Sequence, residues 1–137
     1  MIEGKDLKHL GSEKTNYYYN EPNVNILETF DNKYPHRDYK TKFIFPEFTS
    51  LCPKTGQPDF ATIEITYIAD KKCIETKSLK LYLFSYRQFG SFMESITNKL
   101  LEDFVNICNP RWMEVIGKFN ARGGISINVK AEYSREN

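Results

Sequence analysis

Cys52 lies in the run Glu47-Phe48-Thr49-Ser50-Leu51-Cys52-Pro53-Lys54-Thr55-Gly56-Gln57-Pro58-Asp59-Phe60, between two strand-like segments. A thiol attacks as its thiolate, and a nearby positive charge favours that form. Lys54, two positions on, brings such a charge if the loop folds back. Asp59, seven residues after the thiol, could pass a proton to or from a reacting group. These three residue types in one loop suit nucleophilic catalysis. A hairpin connection that merely contains a cysteine would use the same residues, and no His follows to complete a Cys–His pair.

Three further groups could bind or react. In Glu75-Thr76-Lys77-Ser78-Leu79-Lys80-Leu81-Tyr82, strand alternation puts Glu75 and Lys77 on one face, with Lys80 past a bend. Lysines beside hydroxyls suit phosphate groups, and a solvated strand face is the plainer alternative. Arg122-Gly123-Gly124 reads as a turn whose glycines let backbone N–H groups approach a phosphate, although such turns usually just turn. Glu94, three residues after Ser91, completes a helix capping box. Alternatively its carboxylate accepts two hydrogen bonds from the N–H edge of a guanine-like ring. Cys73 and Cys108 read as structural. His9 and His36 lie far upstream of the cysteines with no metal-ligand spacing, so no metal site is expected.

The elements that must position these residues follow from hydrophobic period. Residues 1–39 are polar and irregular, an amino-terminal extension. Within it Val24, Ile26, Leu27 and Phe30 after Pro22 could make a helical turn or two. With its aromatics Tyr17-Tyr18-Tyr19 and these aliphatics, the segment is expected to lie against this subunit or a neighbour. Residues 40–137 form the domain. Lys40 to Thr49 and Phe60 to Ala69 alternate as strands, and Cys73 to Ser78 reads as a third. Leu79 to Phe84 fits strand or helix. Phe89, Phe92, Met93, Ile96, Leu100, Phe104, Ile107 and Cys108 recur at threes and fours, the stripe of a long helix that Asn109-Pro110 ends. Trp112 to Phe119 and Ile125 to Tyr133 are strands joined by a glycine-bearing hairpin turn. Strands, helix, strands predict an α+β domain, an antiparallel sheet with helices on one face. Its open edges invite assembly into a ring.

Composition narrows the partners. The 137 residues suffice for one domain with its own core. Nineteen basic and 18 acidic residues leave a formal charge of +1, which gives no global field for nucleic acid or an anionic membrane. The start Met1-Ile2-Glu3-Gly4-Lys5-Asp6 lacks the apolar core of a signal peptide, and no apolar run reaches spanning length. Three unpaired cysteines fit a reducing compartment, so a soluble, cytoplasmic protein is expected.

Taken together, the motifs carry a resemblance that none carries singly. The Glu47–Phe60 run resembles the active-site loop of the NADPH-dependent 7-cyano-7-deazaguanine reductases, the nitrile reductases of queuosine biosynthesis. Glu75 to Tyr82 looks like their signature motif, with Thr76 where Ser is usual. Gly117-Lys118-Phe119 followed by Arg122-Gly123-Gly124 is similar to their carboxy-terminal signature, and the likeness runs from about Thr15 to Tyr133. The resemblance implies a tunnelling fold whose small domains form rings with active sites between subunits. The short form is a homodecamer of two stacked pentamers. It implies that Cys52 adds to the nitrile carbon to give a thioimide, and that Asp59 transfers protons. Two hydride transfers from NADPH then yield 7-aminomethyl-7-deazaguanine. Glu94 would hold the base, with Ile74, Glu75 and Thr76 lining the same pocket. Thr76, Lys77, Arg122 and Gly123 match the family's NADPH contacts.

One position departs. The family usually has His immediately before the substrate-binding Glu, and here that place is Met93. A thioether neither donates nor relays a proton, so water or another group must take any such role. Met93 fits the apolar stripe and could pack against the bound base. Two other readings stay open. A zinc-dependent tunnelling-fold enzyme similar to a GTP cyclohydrolase lacks its ligands here. An inactive purine- or pterin-binding relative is supported by Met93 and opposed by Cys52 and Asp59.

Overall fold

The structure is a computed structural model that describes residues 21–135. The Tyr17-Tyr18-Tyr19 cluster and His9 lie outside the described residues. The strands are β1 (Thr29–Asp31), β2 (Thr41–Leu51), β3 (Pro58–Ile68), β4 (Lys72–Ile74), β5 (Trp112–Arg122) and β6 (Ile125–Ser134). Helices α1 (Thr76–Phe84) and α2 (Met93–Cys108) separate β4 from β5. Four long strands form an antiparallel sheet in the order β2-β3-β5-β6, while β1 and β4 pair separately. This is the expected α+β architecture.

Alternation divides the sheet into a dry face and a wet one. Phe48, Ala61, Ile63, Ile65, Tyr67, Met113, Val115 and Phe119 are buried in one core with Leu79, Tyr82 and Leu83 of α1 and Ile96, Leu100 and Phe104 of α2. Along the same strands, Glu64 is flanked across the ladder by Lys42 and Lys118, at 3.1 and 2.8 Å. Gly117 sits on the dry face beneath α2. A Cβ there would lie 2.6 Å from Thr97 Oγ1 and 2.7 Å from the Phe119 ring. Glycine is therefore what lets α2 come this close to the β5 backbone.

The ambiguous segment 79–84 is helical, and its neighbour differs from the expected strand. β4 ends at Ile74, and Glu75 is the N-cap of α1, so Glu75 and Lys77 do not share a strand face. The Glu75 carboxylate accepts the Lys77 N–H at 2.7 Å and the Ser78 N–H at 2.9 Å, while Ser78 Oγ donates back to the Glu75 carbonyl at 2.9 Å. Two first-turn donors gain a partner this way, which strand pairing would not provide.

The capping box at Ser91 and Glu94 does not form either. α2 begins at Met93 with Phe92 as N-cap and no side-chain cap bond. Residues 89–91 are already committed to a short parallel bridge with Leu51. Leu51 N–H donates to Phe89 O at 2.9 Å, and Ser91 N–H donates to Leu51 O at 3.1 Å. Extended backbone at Gly90 delays the helix, and Phe89 falls off the stripe it seemed to head. The far end of α2 does close at Asn109, in the left-handed region at φ 46°.

Within the stretch read as irregular, Val24–Ile26 forms a 3-10 turn and Thr29–Asp31 forms β1. Leu27 is buried in the core, and the Glu28 N–H donates to Ser78 Oγ at 2.9 Å. Residues 21–31 are therefore stitched onto the start of α1.

Candidate active site

The cysteine loop is shorter than its sequence indicates, because β2 runs to Leu51 and β3 starts at Pro58. A bulge between Phe45 and Phe48 accommodates Pro46, which has no N–H for the ladder. Cys52 N–H donates to Gln57 O, and Gly56 N–H donates to Cys52 O, both at 2.9 Å. Gly56 closes the loop at φ 71°, a conformation other residues rarely take.

This wrap is what activates the thiol. Its pKa is held down from 9.0 to about 6, first by the Thr55 hydroxyl, then by the backbone N–H groups of Thr55 and Lys54, then by the Arg122 guanidinium. The sequence pointed to the Lys54 ammonium as the activating charge. In the structure Lys54 acts through its backbone, and the cation at the sulfur is Arg122. Thr55 was missed, since a hydroxyl three residues downstream becomes a thiolate donor only once the loop curls.

Asp59 is buried, at 3% exposure. A buried carboxylate needs a partner, and Arg122 supplies it. Nη1 donates to Asp59 Oδ1 at 2.9 Å while Nη2 donates to Gln57 Oε1 at 2.7 Å. Arg122 reaches all three groups because it is the last residue of β5 rather than part of the turn. It pairs with Ile125 across Gly123 and Gly124, at φ 59° and 84°. A register shift between Phe119 and Arg122 turns the side chain toward the dry face. Gln57, also missed, orients the guanidinium.

The remaining predicted residues form two other groups. Ile74 is buried, and its N–H donates to Tyr67 Oη at 2.8 Å. Glu75 is taken up by the α1 cap, while Thr76 and Lys77 are exposed on the first turn. Met93 packs against the core and Glu94 is exposed. No hydrogen bond or ion pair joins either group to Cys52, Asp59 or Arg122 among the described residues. The start of α2 is nonetheless tethered to the cysteine. A Cβ on Gly90 would meet Pro53 Cα at 3.4 Å, and Glu94 follows Ser91 by only three residues, a reach of about 10 Å at most.

Thr76 and Lys77 present a hydroxyl and an ammonium, groups that would suit the phosphate of a cofactor, and a Cβ added at Gly123 would meet nothing within 4 Å. Glu75 already holds the Lys77 and Ser78 N–H groups, so a phosphate there would rely on side chains. Among the described residues no group of three or more His, Cys, Asp or Glu could hold a metal ion. Cys73 and Cys108 are buried, and burial pushes the Cys108 thiol up to about 12.

An α+β sheet that ends in a thiol of lowered pKa, with a guanidinium that bonds a buried carboxylate and helps to lower that pKa, is the arrangement of a candidate thiol-nucleophile site. Comparison with known proteins narrows the class to a family. Residues 58–137 match the model of the QueF-like proteins. Over 98% of its length the chain is 58% identical to the NADPH-dependent 7-cyano-7-deazaguanine reductase of Streptococcus mutans, covering 83% of that protein. It is 56% and 55% identical to the same-named proteins of Bacillus cytotoxicus and Bacillus cereus, over 96% of this chain and 79% of each relative. A solved structure of the archaeosine synthase QueF-Like in its apo form superposes with a TM-score of 0.61 at 22% identity, over 81% of this chain and 96% of the other. The chain therefore belongs to the QueF-like family, among the NADPH-dependent 7-cyano-7-deazaguanine reductases, and its architecture is the tunnelling fold.

Proposed function

We propose that this chain reduces the nitrile of 7-cyano-7-deazaguanine to the primary amine of 7-aminomethyl-7-deazaguanine, using two NADPH per turnover, in queuosine biosynthesis. The observation that carries the reading is Arg122, which joins a thiolate that persists to about pH 6 to the buried Asp59. The Cys52 sulfur adds to the nitrile carbon, and one C–N π bond opens onto nitrogen. Asp59 delivers a proton to that nitrogen, leaving a thioimide. NADPH, held by Thr76, Lys77, Arg122 and Gly123, supplies two hydride equivalents. Between them the C–S bond breaks, and Cys52 departs as the thiolate that Thr55 and Arg122 stabilise, since a low-pKa thiol is the better leaving group. The net change is one nitrile, two NADPH and two protons to one amine and two NADP.

Glu94 holds the N–H edge of the base, and Ile74, Glu75 and Thr76 wall the same pocket. Met93 packs against the ring and leaves proton transfer to other groups. The chain assembles as a homo-oligomer, a decamer of two stacked pentamers with sites between subunits. The edge strands β2 and β6, together with the exposed Ile44, Phe60 and Ile125, support that reading. No helix among the described residues is long and apolar enough to cross a membrane. Three free thiols favour a reducing, cytoplasmic setting and a small-molecule substrate handled without nucleic acid.

The test is to supply NADPH and 7-cyano-7-deazaguanine and follow the reduced-nicotinamide absorbance. Its loss, with amine formed at half the molar amount, supports the reductase. Binding of both compounds without oxidation would leave a purine-binding protein. Sedimentation of the same sample reads the decamer.

A further inference from the structure

We infer that Ser50 is a positioning residue for Asp59, fixing the carboxyl that gives up the proton. The inference rests on the proposed reduction and deepens it. In the β2–β3 ladder Ser50 stands directly opposite Asp59, and Cys52 N–H bonds to Gln57 O one alternation further on. Side chains two apart share a face, and opposed ones stand about 5 Å apart at Cβ. Ser50, Cys52, Gln57 and Asp59 thus make the four corners of one patch. Arg122 bonds Gln57 and Asp59 and helps to hold the Cys52 pKa down, and Ser50 is the corner it does not serve.

The Ser50 hydroxyl differs from the other buried serine and threonine hydroxyls among the described residues. Ser78, Ser85 and Thr97 each donate to a backbone carbonyl. Ser50, at 0% exposure, has no hydrogen-bond partner among the described residues. A hydroxyl kept dry and unpaired is unfavourable unless it serves a partner that changes. Asp59 is that partner. Its Oδ1 is fixed by Arg122, a cation that orients a carboxylate but does not give up its proton. The group facing the carboxyl from the other strand is a rotatable O–H with one donor and two lone pairs. Ser50 Oγ makes no bond to Asp59 in the resting structure, so the contact requires rotation about the Ser50 Cα–Cβ bond; once made, the hydroxyl accepts from Asp59 in the acid form and donates after the proton has gone to the substrate nitrogen. The ionisable groups of this patch are Arg122 of β5 and Cys52 of the loop, and no ion pair reaches Asp59 from α1 or α2 among the described residues.

The test compares wild type, Ser50→Ala and Ser50→Thr. Ser50→Ala is expected to keep its melting temperature and KM while kcat falls about tenfold to a hundredfold, part of the factor a positioned acid contributes. Ser50→Thr, which restores the hydroxyl, is expected to recover most of that loss. A second readout needs no turnover: the rate at which Cys52 forms its covalent adduct with 7-cyano-7-deazaguanine alone, followed by intact mass, is expected to fall in Ser50→Ala and recover in Ser50→Thr, because the nitrile nitrogen takes its proton in that step. Wild-type kcat in Ser50→Ala, a kcat loss that only tracks a fall in melting temperature, or unchanged adduct formation would overturn the inference and leave the reductase reading intact. Absence of NADPH oxidation by wild type would instead count against the reductase, while adduct formation still judges Ser50.

Discussion

The sheet end around Cys52 and the first turn of α2 lie close together, yet their polar groups are partnered in opposite ways. At the sheet end Cys52, Asp59, Gln57 and Arg122 are tied to one another within a single chain. At the start of α2 no side chain caps the helix, and the exposed Glu94 carboxylate has no hydrogen bond or ion pair among the described residues. The start of α1 shows that this is not what a Glu at a helix N-terminus must do, since Glu75 satisfies two backbone donors there. On the proposed function the difference would separate labour: the reacting groups are preorganised, while the Glu94 carboxylate is left for a ligand or a neighbouring subunit.

The largest test of that division removes the sulfur. Cys52→Ala is expected to fold normally and lose both turnover and covalent adduct, read by NADPH oxidation and intact mass. Activity in that variant would end the claim that the sheet end is the chemical half. Next is Glu94→Ala. Losing hydrogen bonds to a charged group costs about 1.5–3 kcal/mol, so substrate affinity should fall roughly tenfold to a hundredfold. Because Glu94 caps nothing, its melting temperature should change little. A large thermal shift with unchanged affinity would return it to a structural role.

The third test concerns the thiolate. Alkylation of Cys52 should rise with pH through a midpoint near 6, and Thr55→Val should move that midpoint up toward 9.0, since the hydroxyl that does most to stabilise the thiolate is gone. The linkage has a definite sign. The native pKa is depressed, so the native state binds fewer protons between about 6 and 9.0. The resulting stability is fully present above that window and lost as pH falls through about 6. An unmoved midpoint would mean the loop does not activate the sulfur. The smallest effect is that of Glu75→Ala, expected to lower stability by ~1 kcal/mol through loss of the cap, measured by denaturant unfolding. Unaltered stability would undo the contrast between the two helix starts.

Much of this was legible in the residues. Alternation through Ile63, Ile65 and Tyr67 and the stripe Ile96, Leu100, Phe104 report which side faces the core, and burial enforces both periods. Cys52 and Asp59 were legible because loop chemistry is local. The errors share a physical source. Glu75 and Lys77 fit a strand as well as a cap, and only the turn after Ile74 decides between them. Ser91 and Glu94 have capping-box spacing, but the distant Leu51 claims residues 89–91 first. β1 has three residues, too few to show a period, and its partner β4 is forty residues away. Arg122 binding Cys52 depends on register across three strands, which no local pattern encodes.

Gly117 bears on all of this from beneath α2. Its missing methyl sets the depth at which the start of the helix rests, through Thr97 at the beginning of the second turn, and Thr97 lies three residues from Glu94. A helix moves as a stiff rod, so lifting it at Thr97 would lift Glu94 by nearly the same distance, with the sheet-anchored thiolate left behind. If Glu94 holds the base as proposed, the spacing between base and thiolate is thus adjustable from a position remote from both, and a single hydrogen atom on the floor of the core acts as the gauge.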